Sequence, residues 1–145
     1  MNADRIEAQP AHLLRRAGAL LYDLLLNAAL WMLTGFAVLA FRGGDAIPTG
    51  TIWFQCLLFG VTACFFVGFW VRGGQTLGMM AWRIKLVART GGPVDLPTSV
   101  RRFLVACISF LCLGLGFLWA LVDPKRLTWH DRISGTRIIL LPKRS

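Results

Sequence analysis

Two arginines, Arg15 and Arg16, stand at the mouth of a long apolar run from Ala17 to Phe41, and an aspartate, Asp23, lies inside it. Seven positions is close to two helical turns, so Arg16 and Asp23 point the same way, ~10 Å apart along the axis. Asn27 follows one turn later and Thr34 two turns after that, giving a polar stripe of Arg16, Asp23, Asn27 and Thr34. A charged group at such a depth costs ~2.5–3.5 kcal/mol on insertion scales, so it faces protein or water and takes a partner. Its natural chemistry is the exchange of a proton or a cation, with Arg16 holding it charged or competing for it. Farther along the chain, Asp123 precedes Pro124 and reads as a turn residue. His130-Asp131 stands beside Ser134-Gly135-Thr136, a set that suits either a charged site or a capped turn.

Other chemistries lack their residues. The four cysteines, Cys56, Cys64, Cys107 and Cys112, sit in apolar stretches without metal-ligand spacing, and there are only two histidines, His12 and His130. No metal and no cofactor is expected. A grouping of Ser134, His130 and Asp131 is too local to aim as a triad, and there is no phosphate loop, so no enzyme is expected. The net charge of +9 comes without a helix-turn-helix, zinc or RNA-binding signature. Basic flanks that hold membrane topology and meet anionic lipid explain it better than nucleic acid does.

The elements that must position these residues are membrane helices. The 145 residues are 56% hydrophobic, 16% charged, with mean hydropathy +0.60, and the apolar residues come in blocks. Residues 1–14 read as a cytoplasmic tail and 15–145 as one membrane domain with spans 17–41, 51–71 and 103–122. At about 1.5 Å per residue the first reaches ~37 Å, enough for a core of ~30 Å. It is too long for a signal peptide and is read as retained. The second carries Cys56, Gly60, Cys64 and Gly68 every four positions, a small-residue ridge for helix packing. Between the second and third, Leu77, Met80, Ala81 and Ile84 follow helical spacing, which predicts a short interfacial amphipathic helix. Residues 83–89 then alternate like a strand, 137–141 supply a second short one, and Thr98 or Ser99 is the expected N-cap of the next helix.

The third apolar block holds Leu113-Gly114-Leu115-Gly116 at its midpoint. A full crossing would carry the basic tail to the side opposite the other basic segments. A bent, re-entrant hairpin would keep the tail with them, as the positive-inside rule favours, and would let the two strands meet. Arg42 is the one basic residue of the 42–50 loop, so that loop is placed outside and the N-terminus in the cytoplasm. The fold expected is an all-α membrane protein with two spans, a third bent or crossing segment, a short amphipathic helix and a small two-stranded β element.

Arg16 with Asp23, Gly74-Gln75-Thr76-Leu77-Gly78 leading to Arg83-Ile84-Lys85-Leu86-Val87, and Trp129-His130-Asp131-Arg132-Ile133-Ser134-Gly135-Thr136 occur in that order. Phe117-Leu118-Trp119-Ala120-Leu121-Val122-Asp123-Pro124 precedes the last of them. This combination resembles the RDD family of small bacterial membrane proteins, whose name would fall on Arg16, Asp23 and Asp131. The resemblance implies a multi-pass protein of the bacterial inner membrane and leaves the activity open between two readings. In the first, Asp23 serves transport of an unidentified small ion or solute, such as cation/proton exchange, with Asn27, His130 and Asp123 in support. Three apolar segments enclose a passage poorly, so this reading calls for a homo-oligomer built on the ridge. In the second, Arg16, Asp23 and Asp131 form one buried network that fixes helix to tail, and the protein is a scaffold or accessory subunit of a membrane complex.

Overall fold

The computed structural model describes residues 9–142; residues 1–8 of the expected tail, and Lys143, Arg144 and Ser145, lie outside them. Helix α1 runs Leu13–Phe41 and α2 runs Ile52–Gly73, and both are long and apolar enough to cross a membrane, with mean hydropathy 2.0 over their best windows. His12 opens α1, its Nδ1 accepting from the Leu14 amide, and Arg42 closes it. Gly74 ends α2 in the left-handed conformation, with Arg72 in the last turn.

The burial pattern is turned inside out. On α1 the buried residues are Ala19, Asp23 and Asn27, four apart and on one face. Leu21 and Phe36 are 62% and 61% exposed, while Asp23 and Asn27 are 2% exposed. A helix that turns its polar side chains to protein and its large apolar ones outward fits a hydrocarbon solvent.

The chain after α2 packs against one end of these helices. A short helix α3, Leu77–Ala81, leads to strand β1, Ile84–Ala88, and a turn leads on to α4, Leu96–Leu111. Leu77, Met80 and Ala81 are exposed while Gly78 and Met79 are buried; Ile84, the fourth residue of the expected face, is instead buried in β1, because the helix ends at Ala81. Asp95 is the N-cap of α4, accepting from the Thr98 amide, with a proline at the start of the helix. This replaces the Thr98 or Ser99 cap expected from sequence: Pro97 has no amide to satisfy, so the helix starts ahead of it.

Helix α4 breaks at its C-terminal end and α5, Leu115–Val122, leaves it at 95°. Leu113 and Gly114 both adopt positive φ, 57° and 75°, and two consecutive left-handed residues end the helical path. Glycine takes that conformation without penalty; Leu113 does not. The third apolar block is therefore bent at Leu113-Gly114. Helix α6, Trp129–Ser134, and strand β2, Thr136–Leu140, follow, and β2 pairs antiparallel with β1 with Leu86 opposite Ile138. The other edge of β2 takes the N-terminal segment: the Ala11 amide donates to the Ile138 carbonyl at 3.1 Å and the Leu140 amide to the Gln9 carbonyl at 3.0 Å. Both ends of the described chain thus meet at one end of the molecule. A core of Ala11, Ala19, Trp70, Met79, Ile84, Leu86, Val94 and Phe103 closes that end.

Candidate functional site

Asp131 is built into the first turn of α6 by a capping box. The Thr128 hydroxyl accepts from the Asp131 amide and Asp131 Oδ2 accepts from the Thr128 amide at 3.1 Å. This fixes the carboxylate where two arginines converge. Arg16 Nη2 lies 2.5 Å from Oδ2, and Arg102 Nη1, from α4, lies 2.5 Å from Oδ1. Arg102 Nη1 also donates to Thr136 Oγ1 at 2.7 Å, and its guanidinium carbon sits 5.3 Å from the centre of the Trp70 ring. Thr136 and Ser134 hydroxyls are 2.7 Å apart, and Ser134 donates onward to the His130 carbonyl. The network ties α1, α4, α6 and β2 together. Burial by itself pushes the Asp131 carboxyl up, but Arg102 and Arg16 outweigh it and hold it well below the usual carboxylate range.

His130 does not join the charge network. Its ring is buried, lies tilted against Phe117 with ring centres 4.7 Å apart, and its Nδ1 has no hydrogen-bond partner. Burial, reinforced by Arg102 and opposed by Asp131, lowers its pKa to about 3, so the ring is neutral. Asp123 caps α5 and accepts from the Leu127 amide at 2.9 Å while pairing with Arg132. The Leu127 amide, then Arg132, keep its carboxyl below the ordinary range. It orders the turn that delivers α6.

Asp23 belongs to a second, separate constellation. Its Oδ1 accepts from the Gly78 amide at 2.8 Å and its Oδ2 from the Thr76 hydroxyl. Thr76 is also the N-cap of α3, accepting from the Met79 amide at 3.2 Å. Gln75 Nε2 donates to the Ile84 carbonyl at 2.8 Å. Gly78 is where α3 meets α1 most closely: a Cβ there would lie 2.2 Å from the Ala19 carbonyl oxygen and 2.9 Å from Asp23 Oδ1. The Gly74–Gly78 stretch is thus a cradle for one carboxylate.

Among the described residues the ion pairs are Arg16–Asp131, Arg102–Asp131 and Arg132–Asp123. The expected joint cluster of Arg16, Asp23 and Asp131 is therefore divided: Arg16 joins Asp131, and Asp23 goes to α3. Two turns of helix separate Arg16 from Asp23, and the guanidinium extends toward the tail instead. Asn27 Nδ2 donates to the Asp23 main-chain oxygen at 3.1 Å, leaving its own buried Oδ1 without a partner. Thr34 donates to the Leu30 carbonyl at 2.7 Å. On α2, Thr62 receives Trp31 Nε1 at 2.9 Å, whereas Cys56 and Cys64 are exposed and nothing lies within 4 Å of a Cβ at Gly60 or Gly68. Among the described residues the ridge meets no partner helix.

The family model of the RDD family matches residues 10–135, which take in Arg16, Asp23, the Thr76–Gly78 cradle and Asp131. The chain belongs to the RDD family. No curated protein and no solved structure matches it. In this RDD protein the site residues that the sequence reading does not single out are Arg102 and Thr128, while Thr76 and Thr136 stand in its motifs without the partners the fold gives them. In sequence Arg101 and Arg102 stand as basic flanks just before the third apolar block, yet Ser99, Arg102 and Ser109 are all buried on α4. Their spacing of three and seven marks a polar stripe like that of α1, and it was the available signal.

Proposed function

We propose that this RDD protein is a transport-associated protein of the bacterial inner membrane in which Asp23 is the exchangeable carboxylate, for a small cation or a proton. One observation carries the reading: Asp23 is buried in the first span, and no basic side chain among the described residues lies within 4.0 Å of it. Asp131, by contrast, holds two arginines and has no charge to exchange. A buried carboxylate met only by a hydroxyl and an amide can exchange a proton for a small cation, with oxygen ligands at hand in Thr76 and Asn27. The family's arginine serves the tail and leaves Asp23 free for that work. One chain is too small to enclose a passage, so the pathway forms between copies, with the α2 ridge of Cys56, Gly60, Cys64 and Gly68 as the contact. The N-terminus and the tail face the cytoplasm, in keeping with the basic residues gathered at that end. No catalytic step is included in the proposal.

A second reading has its own support. Both Asp23 oxygens are already engaged by α3, which suits a carboxylate that holds the interfacial helix in place. The chain is then a non-catalytic scaffold or accessory subunit of a membrane complex. Reconstitution into liposomes separates the two. Cation-dependent proton flux that Asp23→Asn abolishes, in a variant with an unchanged melting curve, supports exchange. Flux that is absent for Na⁺, K⁺ and Ca²⁺, or that Asp23→Asn leaves intact, overturns it.

A further inference from the structure

The Arg16–Asp131–Arg102 network is not electrically balanced. Two guanidinium groups share one carboxylate, and the adjacent His130 is neutral. Arg102 is sealed inside, so the surplus positive charge reaches the surface through Arg16, whose side chain is 10% exposed. Arg16 opens onto a cavity of about 160 Å³ between the start of α1 and α5. His12 and Arg126 also line it, and its remaining walls are apolar, among them Leu13, Ala120 and Leu121.

Arg126 is held there at a conformational cost. It adopts φ of 52°, a left-handed conformation that a non-glycine residue rarely takes, and its carbonyl accepts from Arg16 Nη1 at 3.3 Å. That posture sets Arg126, an exposed residue, in the wall of the cavity beside Arg16, within reach of a phosphate bound there. The start of the 29-residue helix α1 adds the positive end of its dipole. At about 30 Å³ per water, the cavity has room for several waters or for one phosphate group. Leu121 is 67% exposed at its rim and Val122 79% exposed beyond it, so the opening is continuous with the apolar surface of α5.

We propose that this cavity binds the phosphodiester of an anionic phospholipid, with Arg16 and Arg126 on the phosphate oxygens and the acyl chains along Leu121 and Val122. A free phosphate would satisfy the same arginines but would leave the apolar walls unused. The lipid neutralises the surplus charge of the buried network and anchors the junction of the tail with α1.

The test uses the purified full chain in an uncharged detergent and follows thermal unfolding. Dioctanoyl phosphatidylglycerol, dioctanoyl phosphatidylcholine and inorganic phosphate are titrated separately. Saturable stabilisation by phosphatidylglycerol is expected, with apparent affinity about fivefold weaker in Arg126→Gln, as for loss of one arginine near anionic lipid. Leu121→Glu, which keeps both arginines and places a carboxylate at the rim, weakens it as well and is informative where Arg126→Gln fails to fold. Equal affinity in wild type and in whichever variant folds overturns the site. Phosphatidylcholine carries the same phosphodiester with a choline cation beside it, so an equal effect shows that the net negative charge of the lipid is not what is read, and it also overturns the proposal. Equal effect of inorganic phosphate at the same concentration assigns the cavity to the free ion and overturns the lipid.

Discussion

Arg16 and Asp131 are 115 positions apart in sequence and meet at 2.5 Å, joining the first turn of α1 to the first turn of α6. Arg102 reaches the other oxygen of the same carboxylate, also at 2.5 Å. Removing Asp131 leaves two arginines, one of them fully buried, without their shared counter-charge. Asp131→Asn is expected to destabilise the protein by about 3–5 kcal/mol, the cost of breaking a buried pair from one side. Denaturant titration in mild detergent, read by tryptophan fluorescence, checks this; a loss under about 1 kcal/mol means that the pairs contribute little.

The contact of α3 with α1 depends on the missing side chain of Gly78. Gly78→Ala puts a Cβ 2.2 Å from the Ala19 carbonyl oxygen, so α3 must move away from Asp23. A cost of about 1–3 kcal/mol is expected, as for overpacking elsewhere. Gly73→Ala is the control, because nothing lies within 4 Å of its Cβ and it stands outside the α2 ridge. Its melting curve should stay within about 0.5 kcal/mol of wild type. Equal effects at both positions would remove the close approach as the cause.

Thr76 has two duties, capping α3 and donating to Asp23. Thr76→Val keeps the shape and removes both bonds, leaving the Met79 amide and one carboxylate oxygen unsatisfied. About 1–3 kcal/mol should be lost. Thr76→Ser should recover most of it, which a merely steric role of the side chain would not allow.

The buried His130 makes the fold acid-sensitive. Its pKa falls from 6.5 in the unfolded chain to about 3 in the folded one, so between these values the unfolded chain binds the extra proton. The stabilisation is complete above the unfolded value and is lost as pH falls through the window toward about 3. The expected slope below pH 6 is about 1.4 kcal/mol per pH unit. Asp131, lowered by its arginines, adds a further loss only below the ordinary carboxylate range. Melts at pH 7.5, 6.0, 5.0 and 4.5 should show the slope in wild type and not in His130→Asn. The same slope in both would assign it to other groups.

The pairing of residues 9–11 with β2 puts the two ends of the described chain together. With the native cysteines replaced, single cysteines at Gln9 and Pro142 should react with a membrane-impermeant maleimide from one side of a sealed vesicle. A cysteine at Gly44 should react from the other. Labelling of positions 9 and 142 from opposite sides would contradict the bent form of the third block.

Periodicity was enough to find the helices α1 and α2, the exposed apolar face of α3, the strand after it and the polar stripe of Asp23 and Asn27. Those features are local: a 3.6 or 2.0 repeat reports which residues share a face, and glycine and proline report where a face ends. The stripe of Ser99, Arg102 and Ser109 has the same helical spacing, but Arg102 beside Arg101 reads equally as a membrane flank, so the spacing alone does not say which face is buried.

Which face meets which was decided only by tertiary structure. Arg16 and Asp23 share a side of α1, yet one pairs with the tail and the other with α3, because the 95° break after α4 swings α5 and α6 back over the start of α1. A break of that kind sets a direction in space that no repeat encodes. The sequence thus determined a membrane protein with a charge at one mouth and a carboxylate within. Tertiary structure decided that the two carboxylates, Asp131 and Asp23, stand in different surroundings, one between two arginines and one with no ion pair among the described residues, because long-range partners depend on the path of the chain between them.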